Sequence, residues 1–210
     1  MLYLSTVSHP TLELIKQLMS EELLNDFILV GGTSLALQIG HRKSVDIDLF
    51  AEKSFDTQIL KRDLQEKYSF VPEFEAQDTI KGTISNVQID CLTHYYPWIR
   101  KFKIEEGIRF ASIEDIIAMK LNAISSNGTR IKDFVDIAYL SDRFSLNMML
   151  SFYEEKYHSS TLMPLKGLTF FDEINFEEPL LVLDGNYSWE KVAVRLLQMQ
   201  DNPNNVFSKL

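Results

Sequence analysis

The sequence predicts an α+β fold, with a mixed α and β N-terminal lobe over residues 1–110 and a mainly helical C-terminal lobe over residues 111–210. Two observations support this division. Strand-like apolar runs and alternating segments are confined to the first lobe, whereas apolar residues recur at helical spacing in the second. The junction carries no flexible linker, so we expect the two lobes to pack together.

The N-terminal lobe is expected to begin with a helix and a buried strand that ends in a Gly-Gly turn. A short helix should follow, with Thr33 or Ser34 as its N-cap. The next segment alternates, with Val45, Ile47 and Leu49 on one face. In order, the predicted elements are a helix at 11–24, strands at 27–30 and 45–50 around a helix at 34–40, a helix at 56–67, strands at 68–75, 79–85, 87–93 and 107–111, and a loop at 95–104.

The character of the sequence changes after residue 111. Ser112 with Asp115 three residues later fits a capping box, which marks a helix start. Helices are predicted at 112–124, 130–141, 145–158 and 189–201, and the first two are joined by a turn at Asn127-Gly128. Residues 160–187 carry no clear periodicity.

Composition restricts the class of protein. The 210 residues are 45% hydrophobic and 24% charged, which is typical of a globular chain that buries its own core. The single cysteine, Cys91, cannot form an internal disulfide, and we expect a small buried residue in a cytoplasmic protein. We expect neither a signal peptide nor a membrane span. A net charge of −9 argues against broad, charge-driven nucleic-acid binding but leaves a local basic groove open.

Residues 31–50 contain the parts that bind a triphosphate. Gly31 and Gly32 allow close backbone approach, and the N-terminus of the following helix offers N–H groups and a favourable dipole. Thr33 and Ser34 lie in the same turn, and the Ser34 hydroxyl could donate to a phosphate oxygen. Taken alone, a Gly-Gly pair is more often an ordinary turn.

Three aspartates could hold divalent metal. Asp46 and Asp48 are two residues apart on a predicted strand and therefore share a face. Asp90 lies on the polar face of a neighbouring strand, among apolar residues. Paired Mg²⁺ ions require clustered carboxylates of this kind, with Mn²⁺ as an alternative ion. Each aspartate alone could be a solvated surface residue, but their order after the Gly-Gly turn favours a metal site.

Residues 31–48 resemble the signature of nucleotidyltransferases related to DNA polymerase beta. More closely, the chain resembles the AbiEii/AbiGii toxin family of type IV, abortive-infection toxin–antitoxin systems. The stretches that carry the resemblance are VGGTSLALQIGHRKSVDIDLF, EDIIAMKLNAI and RIKDFVDIAYL. The resemblance implies a nucleotidyltransferase-type mixed sheet flanked by helices, an NTP substrate with Mg²⁺, an RNA acceptor such as tRNA, and a cognate antitoxin.

The same resemblance implies roles for two residues of the helical lobe. Lys120 matches a lysine that the family places near the nucleotide phosphates, and Asp133 matches an acidic position that is essential in the family. Asp136 lies three residues further on the same helix face. The alternatives are a Lys120 that snorkels at a helix edge or pairs with a surface acid such as Glu114, and acids that favour a helix first turn.

Two further groups of residues each allow two interpretations. Arg42, with Lys43, could contact the triphosphate or an RNA acceptor, or could form a solvated turn. Trp98, Phe102 and the basic residues between them suit stacking on single-stranded RNA, although an exposed charged loop explains them as well. The four histidines show no metal-ligand spacing.

The sequence also leaves the acceptor open. Besides an RNA end, the acceptor could be a hydroxyl of a small molecule or protein. A non-catalytic nucleotide-binding module is a third hypothesis, and the intact set of aspartates argues against it.

Overall fold

The computed structural model describes residues 1–210, which divide into two units, Met1–Ser112 and Ile113–Leu210. A mixed β-sheet organises the first unit. The elements of the first unit are α1 (His9–Ser20), β1 (Ile28–Leu29), α2 (Gly31–Ile39), β2 (Ile47–Ala51), α3 (Thr57–Tyr68), β3 (Val71–Ala76), β4 (Thr79–Ile84), β5 (Val87–Thr93), β6 (Lys103–Glu105) and β7 (Ile108–Phe110). Short 3₁₀ turns span Leu4–Thr6 and Glu22–Leu24.

The seven strands lie in the order β3-β4-β5-β2-β1-β7-β6. The pairs β2–β5 and β1–β7 are parallel, and the remaining pairs are antiparallel. The predicted α+β class with a mixed sheet flanked by helices is therefore confirmed. The parallel β2–β5 pair at the centre matters most, because it places the two segments that carry Asp48 and Asp90 side by side.

The core of the first unit forms because apolar residues alternate along the central strands. Ile47 and Leu49 of β2 and Ile89 and Cys91 of β5 are almost completely buried, while the residues between them remain half-buried. Helix α1 starts where the Ser8 hydroxyl accepts from the N–H of Thr11. The buried apolar residues of α1 join the same core: Leu12, Leu14, Ile15, Leu18 and Met19.

Several predicted boundaries were wrong. Helix α2 begins at Gly31 with Val30 as its N-cap and no side-chain cap, so neither Thr33 nor Ser34 caps it. The reason is that Gly31 adopts a positive φ of 67° and turns the chain directly from β1 into the helix. Val45 precedes β2 and is exposed, because the strand begins only at Ile47. The loop predicted at 95–104 contributes two residues to strand β6.

The second unit is helical, as the sequence predicts. Its elements are α4 (Ile113–Ser126), α5 (Ile131–Leu140), α6 (Leu146–Tyr157), α7 (Leu162–Gly167) and α8 (Trp189–Asp201). Helix α7 lies within residues 160–187, which carry no clear periodicity in the sequence. Apolar residues of α4, α5, α6 and α8 form a buried core, as with Leu121, Phe134, Met149 and Leu196. No helix of the chain is both long and apolar enough to cross a membrane.

Candidate active site

Three charged residues form a row across adjacent strands of the sheet. Lys81 of β4 is the register partner of Asp90 of β5, and Asp90 is in turn the register partner of Asp48 of β2. Register partners on neighbouring strands lie about 5 Å apart and present their side chains on the same face. Two of the three aspartates that the sequence predicts as metal ligands, Asp48 and Asp90, are therefore neighbours on one face of the sheet.

The Asp48 carboxylate lies against the N-terminal turn of α2. A Cβ atom built on Gly31 would stand 2.1 Å from Oδ2 of Asp48, well inside any van der Waals contact. Glycine is therefore required here by space as well as by its positive φ. The N–H of Val30 donates to the Asp48 carbonyl at 2.9 Å, which fixes the strand beside the start of the helix.

Gly32 makes room for a buried cation. A Cβ on Gly32 would stand 2.3 Å from a terminal guanidinium nitrogen of Arg42. Arg42 is only 2% exposed, and its guanidinium donates to the Lys43 carbonyl at 3.0 Å. The interpretation of Arg42 as a solvated turn residue is therefore wrong, and its charge lies beside the first turn of α2.

Thr33 and Ser34 are both buried in the first turn of α2. The Thr33 hydroxyl contacts the Ser44 hydroxyl at 2.9 Å and donates to the Asp46 carbonyl. The Ser34 hydroxyl accepts from Nε2 of Gln38 at 3.2 Å. The two contacts of Thr33 connect the first turn of α2 to the loop that leads to β2. The N–H groups that precede Ser34 have no acceptor within the helix, as at any helix start.

The donor chemistry of the aspartates suits a hard divalent cation, since such ions prefer carboxylate oxygens. The carboxylate of Asp90, however, does not have the geometry of a metal ligand in this structure, because two other side chains bind it. Asp90 Oδ2 is ion-paired with the Lys81 ammonium at 2.5 Å, and Asp90 Oδ1 accepts from Gln88 Nε2 at 3.2 Å. Asp46 is half-buried just before β2. In this arrangement no three histidine, cysteine or acidic side chains are grouped closely enough to hold one ion.

The second unit contains a buried charge cluster built from two helices. Nζ of Lys120 on α4 lies 2.6 Å from Oδ1 of Asp133 and 2.8 Å from Oδ2 of Asp136, both on α5. These three side chains are 6%, 4% and 0% exposed. The alternative in which Lys120 pairs with a surface acid is therefore wrong. Asp133 does lie in the first turn of α5, as the alternative for these acids expects, but both carboxylates are buried against the Lys120 ammonium.

Two further arrangements were not anticipated from the sequence. Lys156 of α6 and Asp115 of α4 form an ion pair at 2.8 Å with both side chains fully buried. Arg109 of β7 donates to the backbone carbonyls of Phe27, Met19 and Leu24 at 2.8–2.9 Å. Both pairings depend on residues far apart in sequence, so periodicity contains no signal for them.

An aromatic cluster lies on the segment that follows β5. The ring of His94 is 5.7 Å from Phe50, 5.3 Å from Tyr96 and 6.0 Å from Trp98, measured between centroids. The basic and aromatic residues that follow Trp98 (Arg100, Lys101, Phe102 and Lys103) are exposed.

Burial, followed by the charges of Asp90 and Asp48, raises the pKa of the Cys91 thiol, so this cysteine stays protonated within the core.

Similarity to solved structures agrees with this architecture. MenT4, a nucleotidyltransferase toxin from Mycobacterium tuberculosis, superposes with a TM-score of 0.57 at 12% identity, covering 89% of this chain and 82% of that one. JHP933 from Helicobacter pylori superposes with a TM-score of 0.55 at 18% identity, covering 94% and 93%. At such low identity the similarity concerns the fold alone.

Sequence comparison identifies the family. The model of the nucleotidyl transferase AbiEii toxin of type IV toxin–antitoxin systems matches residues 13–106 and 91–202. The chain therefore belongs to this family of nucleotidyltransferase toxins. An uncharacterized protein from Aquifex aeolicus is 28% identical over 187 residues, which cover 86% of this chain and 89% of that protein.

Proposed function

We propose that this protein is a toxin that transfers a nucleotidyl group from an NTP to an RNA acceptor such as tRNA, with Mg²⁺ as cofactor. One observation carries the proposal: the carboxylate of Asp48, next to Asp90 on the sheet, lies against Gly31 at the start of α2. Acidic groups beside a helix N-terminus suit a substrate that combines phosphates with a bound cation. Family membership supports the toxin role and an antitoxin as partner.

In the proposed reaction, an acceptor hydroxyl attacks the α-phosphorus of the NTP and pyrophosphate leaves. The N–H groups of Gly31, Gly32 and Thr33 bind triphosphate oxygens, and the neighbouring Arg42 charge strengthens the positive potential there. Asp46, Asp48 and Asp90 would hold the divalent cation. When bound, such a cation stabilises negative charge that develops on the phosphate oxygens.

The proposal also assigns Lys120 and Asp133 to the active site, on the basis of the family motifs on α4 and α5. The ammonium of Lys120 offsets negative charge on the triphosphate. Asp133 orients that ammonium, and the 2.6 Å contact between Asp133 Oδ1 and Lys120 Nζ supports this role. The fixed position of the ammonium matters because a preorganised charge needs no rearrangement during the reaction.

The test is to incubate the protein with each labelled NTP, Mg²⁺ and either total RNA or total protein. We expect label in the RNA fraction and none with Asp48→Asn, which keeps the shape of the side chain but removes its charge. Asp63→Asn is the matched control, because Asp63 is a helix-surface acid paired with Lys67 at 3.0 Å. Label in protein only, or undiminished transfer by Asp48→Asn, would contradict the proposal.

The role as a toxin needs a separate measurement. Expression of the wild-type chain should arrest growth, a neighbouring gene product should relieve the arrest, and Asp48→Asn should be harmless at equal expression. Transfer to RNA without growth arrest would retain the enzymatic part of the proposal and refute the toxin part.

A further inference from the structure

Among the charged residues of the sheet that have no part in the proposed reaction, one lies beside Asp90. Lys81 of β4 stands directly across from Asp90 of β5, and its ammonium is 2.5 Å from Asp90 Oδ2. The next strand contributes Asp48 at the same level. Lys81 therefore places a positive charge on the carboxylate that should serve a divalent cation, on the same face of the sheet.

The two carboxylate oxygens of Asp90 are both engaged by donors of the chain itself. Lys81 binds Oδ2, and the side-chain amide of Gln88 donates to Oδ1 at 3.2 Å. A carboxylate held in this way is oriented by its own strand and its neighbour, and a cation that is to bind Asp90 has to compete with the Lys81 ammonium. In the same structure the aspartates do not form a group of three carboxylates.

We propose that Lys81 is an internal cation that competes with the divalent metal ion for Asp90. Asp90 then joins Asp48 as a ligand only when the incoming ion displaces the Lys81 ammonium. Lys81 is a positioning residue under this proposal, because it acts on the site through Asp90. The inference rests on the proposed function, since it concerns the cation that the nucleotidyl transfer would use.

The exposure of the pair makes displacement feasible. The Lys81 side chain is 39% exposed and that of Asp90 is 17% exposed, so water can solvate the ammonium once it leaves. Exposed pairs of this kind are weak. The pair formed by Lys120 and Asp133 is different, with side chains 6% and 4% exposed, because its separation would leave buried charges unpaired.

The experiment measures binding of Mn²⁺ alone, from the free-ion signal in electron paramagnetic resonance, to the full chain. Lys81→Met removes the charge at similar length, and we expect about fivefold tighter binding, because the ion no longer has to separate an exposed ion pair before it binds Asp90. Lys81→Arg keeps the charge and should bind as the wild type does. Lys61→Met is the matched control, because Lys61 forms a comparable pair with Glu75 at 2.6 Å on the same unit.

A double variant shows whether the effect passes through Asp90. Adding Lys81→Met to Asp90→Asn should change the Mn²⁺ affinity less than threefold, because the carboxylate for which lysine and metal compete is gone. An undiminished gain in that background overturns the proposal. Equal or weaker binding by Lys81→Met also overturns it, since weaker binding means that Lys81 orients Asp90 for the ion. Mn²⁺ binding to neither protein overturns it as well.

The labelled-NTP assay keeps this inference separate from the proposed function. A wild-type chain that transfers nucleotides while Lys81→Met shows unchanged Mn²⁺ affinity refutes the competition alone. A chain whose Mn²⁺ affinity rises on Lys81→Met but which labels no RNA refutes the proposed function alone. Thermal unfolding of each variant confirms that the compared proteins are folded.

Discussion

The carboxylate of Asp48 fills the space that any side chain on Gly31 would need, with Oδ2 2.1 Å from the ideal Cβ position. The two residues come from different elements, β2 and the start of α2. A Cβ at Gly31 could be accommodated only if the carboxylate of Asp48 or the backbone moved. Substitutions at Gly31 should therefore report directly on the position of the carboxylate.

Gly31→Ala should abolish nucleotidyl transfer and destabilise the chain. The methyl group displaces the Asp48 carboxylate, and the positive φ of 67° adds about 1–2 kcal/mol of backbone strain. Gly107→Ala is the matched control, because Gly107 has a φ of 79° and nothing within 4 Å of its ideal Cβ. It should show the strain alone and keep its activity. Urea denaturation and transfer assays measure the two effects, and equal activity of both variants would refute the role of the contact.

Lys120→Met should destabilise the chain by about 3–5 kcal/mol, because Asp133 and Asp136 would remain buried without their cation. Lys132→Met on α5 is the control, since Lys132 pairs with Glu178 at 3.1 Å nearer the surface and should cost under about 1 kcal/mol. Denaturant unfolding measures both. Activity must be expressed per folded molecule, and full activity per folded molecule of Lys120→Met would restrict the cluster to a structural role.

Arg109→Lys should lower the free energy of unfolding by about 2–4 kcal/mol. The guanidinium donates to three backbone carbonyls, and a lysine cannot reach all three at once, so buried acceptors lose charged donors. Arg62→Lys on α3 provides the comparison, because Arg62 is exposed. Chemical denaturation of both variants tests the expectation, which fails if they are equally stable.

Asp78 should make stability depend on pH in the acid range. Its carboxylate accepts from the hydroxyls of Ser54 and Tyr95 and from the N–H of Phe55, and these bonds lower its pKa. A lowered pKa in the folded state contributes stability that is present above the unfolded pKa, about 3.9, and is lost as pH falls through the folded value.

Asp78→Asn should accordingly be less stable than the wild type at neutral pH. The difference should shrink as the pH falls below about 4. Asparagine suits this position because it tolerates the positive φ of 55° found at Asp78. Thermal unfolding across the acid range gives the measurement. A stability difference that is constant with pH would show that the carboxylate charge is not responsible.

Regular patterns made several elements predictable. Strand β5 and helix α8 have the bounds that alternation and helical spacing indicate, because each buries one face against a core. The start of α2 was not predictable in the same way. Thr33 and Ser34 are better N-cap residues than Val30, but the chain enters the helix through Gly31. The Thr33 hydroxyl then contacts the next loop, and the Ser34 hydroxyl accepts from Gln38 within the helix.

The candidate site was predictable in its residue types and less so in its pairings. Alternation along each strand predicts Asp48 and Asp90 on the polar faces of β2 and β5, and the register of the two strands places them side by side. The pairing of Lys81 with Asp90 depends on the register of β4 against β5, which cannot be predicted from the sequence alone. The burial of Lys120 likewise depends on the packing of α4 on α5, which converts a helix-edge lysine into an internal one.

The fully buried pair of Lys156 and Asp115 gives the second unit an internal reporter. An amine-reactive reagent can acylate lysines at the surface of the folded chain, but it cannot reach Nζ of Lys156 until α6 separates from α4. The acylation rate of Lys156, followed by peptide mass spectrometry, therefore measures how often the helical unit opens. Comparison of that rate with and without a bound nucleotide or antitoxin would show which of these ligands holds the unit closed.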